Sequence, residues 1–159
     1  MLKAWKALAL GLLGLAHVQA ANAARDPMCA PLKAFVASIA PKESKQVLFR
    51  TSWFGGFKDD PQTERSVMAK RCDDSGYAPG RTLCDALITY GVTEFAELNA
   101  MSAIHCLAPD MRFGRHTTLR RIDLEISSGT DSRGSFITLH FAPDEAIGGN
   151  VLTITAKGY

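Results

Sequence analysis

Residues 119–156 read "LRRIDLEISSGTDSRGSFITLHFAPDEAIGGNVLTITA", and their apolar side chains recur at every second position. Ile122, Leu124 and Ile126 alternate with Arg121, Asp123 and Glu125. Ile137, Leu139 and Phe141 alternate with Phe136, Thr138 and His140, and Leu152 and Ile154 continue the pattern in a third segment. A period of two puts one set of side chains on a buried face and the other in water, which is the signature of half-buried strands. The intervening "SGTDSRG" and "PDEAIGG" are rich in turn residues, so the three segments are expected to form an antiparallel meander. Arg120 has the parity of Ile122 and Leu124, so the first strand must start after it, contain a bulge, or turn this arginine toward the core.

Upstream of residue 117 the period is mostly helical. "CAPLKAFVASIAP" (29–41) aligns Leu32, Phe35, Val36 and Ile39 on one stripe, with Pro31 in the first turn and Pro41 beyond the end. "DDPQTERSVMAKRC" (59–72) offers Asp60 as an N-cap and Pro61 at the first helical position, and predicts a second helix to about Cys72. "RTLCDALITYG" (81–91) aligns Leu83, Leu87 and Tyr90 before the stop at Gly91. "TEFAELNAMSAIHCLAP" (93–109) predicts a fourth helix with a stripe of Leu98, Met101 and Ile104, flanked by Phe95. Between the first two lies "KQVLFRTSWF" (45–54), where Val47, Phe49, Thr51 and Trp53 alternate with Gln46, Leu48, Arg50 and Ser52 as in a strand. The order is helix, strand, three helices, three strands. Such segregated runs predict an α+β fold, a mostly antiparallel four-stranded sheet with helices on one face and water on the other.

The first residues carry Lys3 and Lys6, then an apolar run from about Ala7 to Ala16, then small residues at Val18-Gln19-Ala20 and Ala21-Asn22-Ala23. This order predicts a cleaved secretory signal peptide at 1–23, followed by a single domain at 24–159. The run is shorter than the ~20 residues that span a bilayer, and Asp26-Pro27-Met28 before Cys29 does not suit lipid attachment, so no membrane anchor is expected. The expected location is periplasmic or extracellular, as for a small exported protein of bacterial type. The chain has 18 basic and 16 acidic residues; losing Lys3 and Lys6 balances the two signs, which argues against nucleic acid as a partner.

Cys29, Cys72, Cys84 and Cys106 all follow the leader, and an even count in an exported chain predicts two disulfides. Four cysteines allow three pairings. The preferred one joins Cys72 to Cys84 through the "DDSGYAPG" connection and Cys29 to Cys106, stapling predicted helices together. No CxxC or HxxxH spacing is present, so neither a metal nor another cofactor is expected. A catalytic thiol would need an unpaired cysteine facing a histidine, and His105 and Cys106, adjacent on a helix, point about 100° apart.

No nucleophile elbow, phosphate loop or dinucleotide fingerprint occurs. The paired acids, such as Asp59-Asp60 and Asp144-Glu145, fall in loops or on solvent faces, where neither is buried enough to hold a proton for hydrolysis. The leading expectation is recognition of another envelope or secreted protein, as an inhibitor or immunity-type protein. The contact candidates are Phe54 and Phe57 in the 53–60 loop, Tyr77 and Arg81 in the 75–81 loop, and Arg112, Arg115 and Arg121 in an arginine-rich stretch beside His116. Phe54 and Phe57 flank a Gly-Gly pair, and the local pattern leaves open whether they plug a corner or stand out as a contact. The alternatives are a small secreted hydrolase using His116 or His140 with a neighbouring acid, and an accessory subunit of an envelope complex.

Overall fold

The computed structural model describes residues 26–62, 66–114 and 117–159; the expected signal peptide, Arg115 and His116 lie outside the described residues. The chain runs α1 (Cys29–Ala37), β1 (Ser44–Trp53), β2 (Met68–Asp73), α2 (Ala78–Tyr90), α3 (Glu97–Leu107), β3 (Ile122–Thr130), β4 (Arg133–Asp144) and β5 (Gly149–Gly158). The strands form one antiparallel sheet of five, in the order β2-β1-β5-β4-β3. The class is α+β, with one strand more than the sequence pattern predicts.

The meander forms as its alternation requires. Leu124, Leu139, Ile154 and Val47 lie in one row across four strands, and Ile122, Phe141, Leu152 and Phe49 in the next. This inner face, with α1, α2 and α3 packed against it, holds the main core. Leu32, Phe35, Leu83, Leu87 and Ile104 supply the helical side of that core and are fully buried. Arg120 is exposed just before β3 begins at Ile122, so its parity conflict is resolved by the late start.

The fifth strand replaces the helix expected at 61–72. Asp60 accepts a hydrogen bond from the Gln62 amide in a turn rather than capping a helix, and Met68–Asp73 pairs with β1 from Trp53↔Met68 to Leu48↔Asp73. The segment's residue types permit a helix, but pairing with β1 satisfies the backbone and places Ala69 in one cluster with Phe57 and Arg71 over the Phe57 ring. Tertiary pairing overrides a weak local preference.

Both disulfides are those expected, Cys29–Cys106 and Cys72–Cys84, and no described cysteine is free. Cys72 lies on a strand rather than at a helix end, so the second bond ties the sheet edge to α2. Among the described residues no helix is long and apolar enough to cross a membrane.

Candidate functional site

The inner face of β1 carries Val47, Phe49 and Thr51 into the core and ends at the half-buried Trp53. The chain then turns sharply. Phe54 adopts φ +63° and Gly55 φ +151°, while both amides point at the Val67 carbonyl, Phe54 at 2.9 Å. A β-turn with left-handed backbone ordinarily takes Gly or Asn there, and a bulky residue at positive φ is an outlier. The turn aims the Phe54 ring outward, 86% exposed, with Trp53 edge-on beside it at 5.3 Å between ring centres.

Phe57 goes the other way and is 2% exposed. It sits with Ala69, Ile147 and Val151 in a second small core on the outer face of the sheet, at one end of it. Ser52 Oγ donates to the carbonyls of Gly56 and Gly148, and the Lys58 amide donates to Ile147, so the 54–60 and 145–148 loops are zipped together over this end. The Arg71 guanidinium stacks 4.8 Å above the Phe57 ring and donates to Asp59 at 2.7 Å. That hydrogen bond, with the same cation's field, holds the Asp59 carboxyl below its ordinary value of 3.8 against an opposing desolvation. Phe57 is therefore the corner plug, and its face is not available for contact.

Beside Phe54 lie the exposed Val67, just before β2, and the exposed Met68 that begins it, and Thr93 Oγ1 donates to Met68 Sδ at 3.6 Å. The Lys70 ammonium donates to the Ile88 carbonyl near the end of α2, at 2.9 Å. The α2–α3 junction is organised by the buried Asn99. Its amide donates to the carbonyls of Val92 and Ala96, and its Oδ1 accepts from the Val92 amide. Gly91 stops α2 against the Phe49 ring, which a Cβ there would meet at 2.8 Å.

The face that α3 buries differs from the expected stripe. Asn99, Ala100, Ala103, Ile104 and Cys106 point inward, while Leu98 is exposed and Met101 only half-buried. The helix begins at Glu97 rather than Thr93. The Cys29–Cys106 bond pins Cys106 inward, and Asn99 and Ala103 share its face at offsets of 7 and 3, letting α3 lie close to α1. With the small residues inside, Phe95 and Leu98 are left at the surface. Tyr90, expected on the buried stripe of α2, is exposed as well.

These exposed apolar side chains form a belt of two parts, Phe54, Val67 and Met68 at one end and Tyr90, Phe95 and Leu98 at the other, adjoining where Thr93 meets Met68. It crosses the β1–β2 corner and the α2–α3 junction. A cleft of about 340 Å³ opens beside it, lined by Trp53, Thr93, Glu94, Asp144, Glu145 and Asn150 among others. This is at the low end for a small-molecule site.

The other contact candidates lie elsewhere. Tyr77 is half-buried at the start of α2, its hydroxyl bonded to Ser38 and its ring edge-on to Phe35. Arg81 is exposed near Asp74, beyond the Asp73 end of β2, whereas Phe54 lies at the Met68 end. Arg112 and Arg121 are exposed on the approach to β3, at the opposite edge of the sheet. The structure therefore brings none of these four to Phe54.

His140 meets an acid from the neighbouring strand: its Nδ1 is 2.5 Å from Asp123 Oδ1, and Thr153 lies in the same row on β5. The two side chains are 46% and 66% exposed on the open outer face, where water screens them. His105 stacks edge-on with Phe113. Among the described residues the only grouped metal-ligand types are Asp26, Cys29 and Cys106, whose sulfurs are bonded to each other.

No protein-family model matches the chain, and no curated protein or solved structure matches it either.

Proposed function

We propose that the protein is exported to an oxidising compartment, periplasmic or extracellular, and acts there by binding another protein through the apolar belt centred on Phe54. The observation that carries this reading is Phe54 itself. A large aromatic residue is held outward on a backbone that favours glycine, a cost of about 1–2 kcal/mol that folding has no need of. Single exposed apolar side chains are ordinary on a protein surface, but a connected belt of them, bordered by polar residues, is typical of a protein contact. Aromatic side chains at the centre of such a contact supply most of its energy. Two disulfides hold the elements beneath the belt, so little conformational freedom is lost on docking. An inhibitor or immunity-type role uses this surface, whereas an accessory role in an envelope complex has the arginine-rich stretch from Arg112 to Arg121 as its contact.

The test compares the wild-type chain with Phe54→Gly in cross-linked capture from the envelope of the producing cells. A protein held by the wild type and lost with Phe54→Gly supports the reading; a captured set that is identical for both chains removes it. Because Phe54 buries almost nothing, the substitution is expected to leave stability unchanged or raise it by up to about 1 kcal/mol, as relief of the left-handed strain offsets glycine's greater freedom when unfolded.

The His140–Asp123 pair favours one other reading, a small secreted hydrolase. That reading expects wild-type turnover of simple ester or phosphodiester substrates that His140→Ala abolishes without unfolding the chain. Absence of wild-type turnover on both classes removes it.

A further inference from the structure

The cleft beside the belt has an uneven charge. Among the described residues, Glu94, Asp144 and Glu145 line it against one cation, Lys58, whose ammonium is bonded to the Glu145 carbonyl at 2.9 Å. Asp144 Oδ1 accepts from the Ala146 amide at 2.9 Å, so this carboxylate is partly occupied by its own loop. Glu94 and Glu145 are exposed, and Trp53 forms an aromatic wall of the same cleft. The cations Arg112, Arg120 and Arg121 lie on the approach to β3, the far edge of the sheet, and Arg133 opens β4 beside it.

We infer that the partner surface carries an apolar side chain next to a lysine or arginine: the apolar group rests on Phe54 and Met68, and the cation enters the cleft between Trp53 and the Glu94 and Glu145 carboxylates. This inference rests on the protein-binding reading. Its physical basis is charge complementarity joined to the exposed apolar corner of Phe54, Val67 and Met68. A guanidinium or ammonium in this cleft gains both carboxylates and the face of an indole, whereas an acidic residue there meets repulsion from the same carboxylates. The aromatic and apolar belt supplies affinity, and the acidic cleft decides which partners are accepted.

The probe is a displayed library of random peptides selected on the full-length exported protein and counter-selected on Phe54→Gly. The selected sequences are expected to be enriched in Lys or Arg beside Leu, Phe or Trp. Their synthetic forms are expected to bind at least about tenfold more weakly to a Glu94→Lys/Glu145→Lys variant, and to lose affinity as salt rises from about 0.05 to 0.5 M. Both glutamates are exposed, and a circular dichroism melt checks that the variant retains the wild-type fold. Phe54-dependent peptides that are acidic or without charge preference, and indifferent to the double substitution, overturn the charge inference and leave the protein-binding reading standing. If no peptide depends on Phe54, both fall.

Discussion

Phe54 and Phe57 are three residues apart and have opposite fates, which makes them a matched pair for experiment. Phe57 fills the small outer core under Arg71, so Phe57→Ala is expected to destabilise the protein by about 3 kcal/mol in urea unfolding, the lower end for a buried phenylalanine because the cluster is small and can partly collapse. Phe54→Gly is expected to cost nothing in the same assay, for the reasons of strain and exposure given above. Asp59 carries the pH dependence of this corner. Its folded value lies below the unfolded one, so its contribution is present above the ordinary carboxylate range and is lost as pH falls through the folded value. Asp59→Asn should therefore be less stable than wild type near neutrality, with the two unfolding midpoints converging at low pH. Midpoints that stay apart by a constant amount down to strong acid would refute the Arg71 pairing as the cause. The sequence places the aromatic pair at a strand end, but the direction of each ring depends on where Val67 and Ala69 arrive, and those residues lie just before and within a strand that local pattern reads as helix.

Among the elements, the α2–α3 junction is held by one side chain. Asn99→Ala would leave the Val92 amide and carbonyl without their side-chain partner, while the Ala96 carbonyl keeps the backbone amide of residue 99, and is expected to cost about 1–3 kcal/mol. Hydrogen exchange should show lost amide protection confined to residues 91–97, and partner binding should weaken because Phe95 and Leu98 ride on that turn. Protection that falls uniformly through the chain would instead mean simple loss of global stability. Asn99 carries no signal in the sequence beyond being polar within an apolar run, and the helical period alone points the stripe at Leu98 and Met101. The actual rotation of α3 follows from what it packs against. Alanines at 100 and 103 allow close approach to α1, and Cys106 must reach Cys29. β2 makes the same point for the sheet. Its helix-compatible residues become an edge strand because β1 offers unpaired backbone and Cys84 offers a bond to Cys72.

At the scale of the molecule, the two disulfides constrain the chain unequally. Cys29–Cys106 closes a separation of 77 residues and Cys72–Cys84 one of 12. A chain-entropy account gives about 4.5 kcal/mol for the first and about 3 kcal/mol for the second. Replacing Cys29 and Cys106 together by Ser should therefore lower the urea midpoint more than replacing Cys72 and Cys84, and the reverse order would show that tying β2 to α2 matters more than the length of the loop closed. Much of this architecture is legible from residues alone. The meander follows from alternation at 122–156, because a strand with one buried face must repeat every two residues; α1, the span of α2 and β1 follow from equally local periods. The even count of cysteines predicts two disulfides but allows three pairings, and the tertiary structure selects Cys29–Cys106 and Cys72–Cys84. Tertiary structure decided what no local period contains: that 68–73 pairs as a strand, that α3 turns its alanines inward and its leucine out, and that Phe57 is covered while Phe54 is not. Each of these depends on which distant surface a segment meets, and burial against a partner is worth more than the few tenths of a kcal/mol per residue by which local propensities differ.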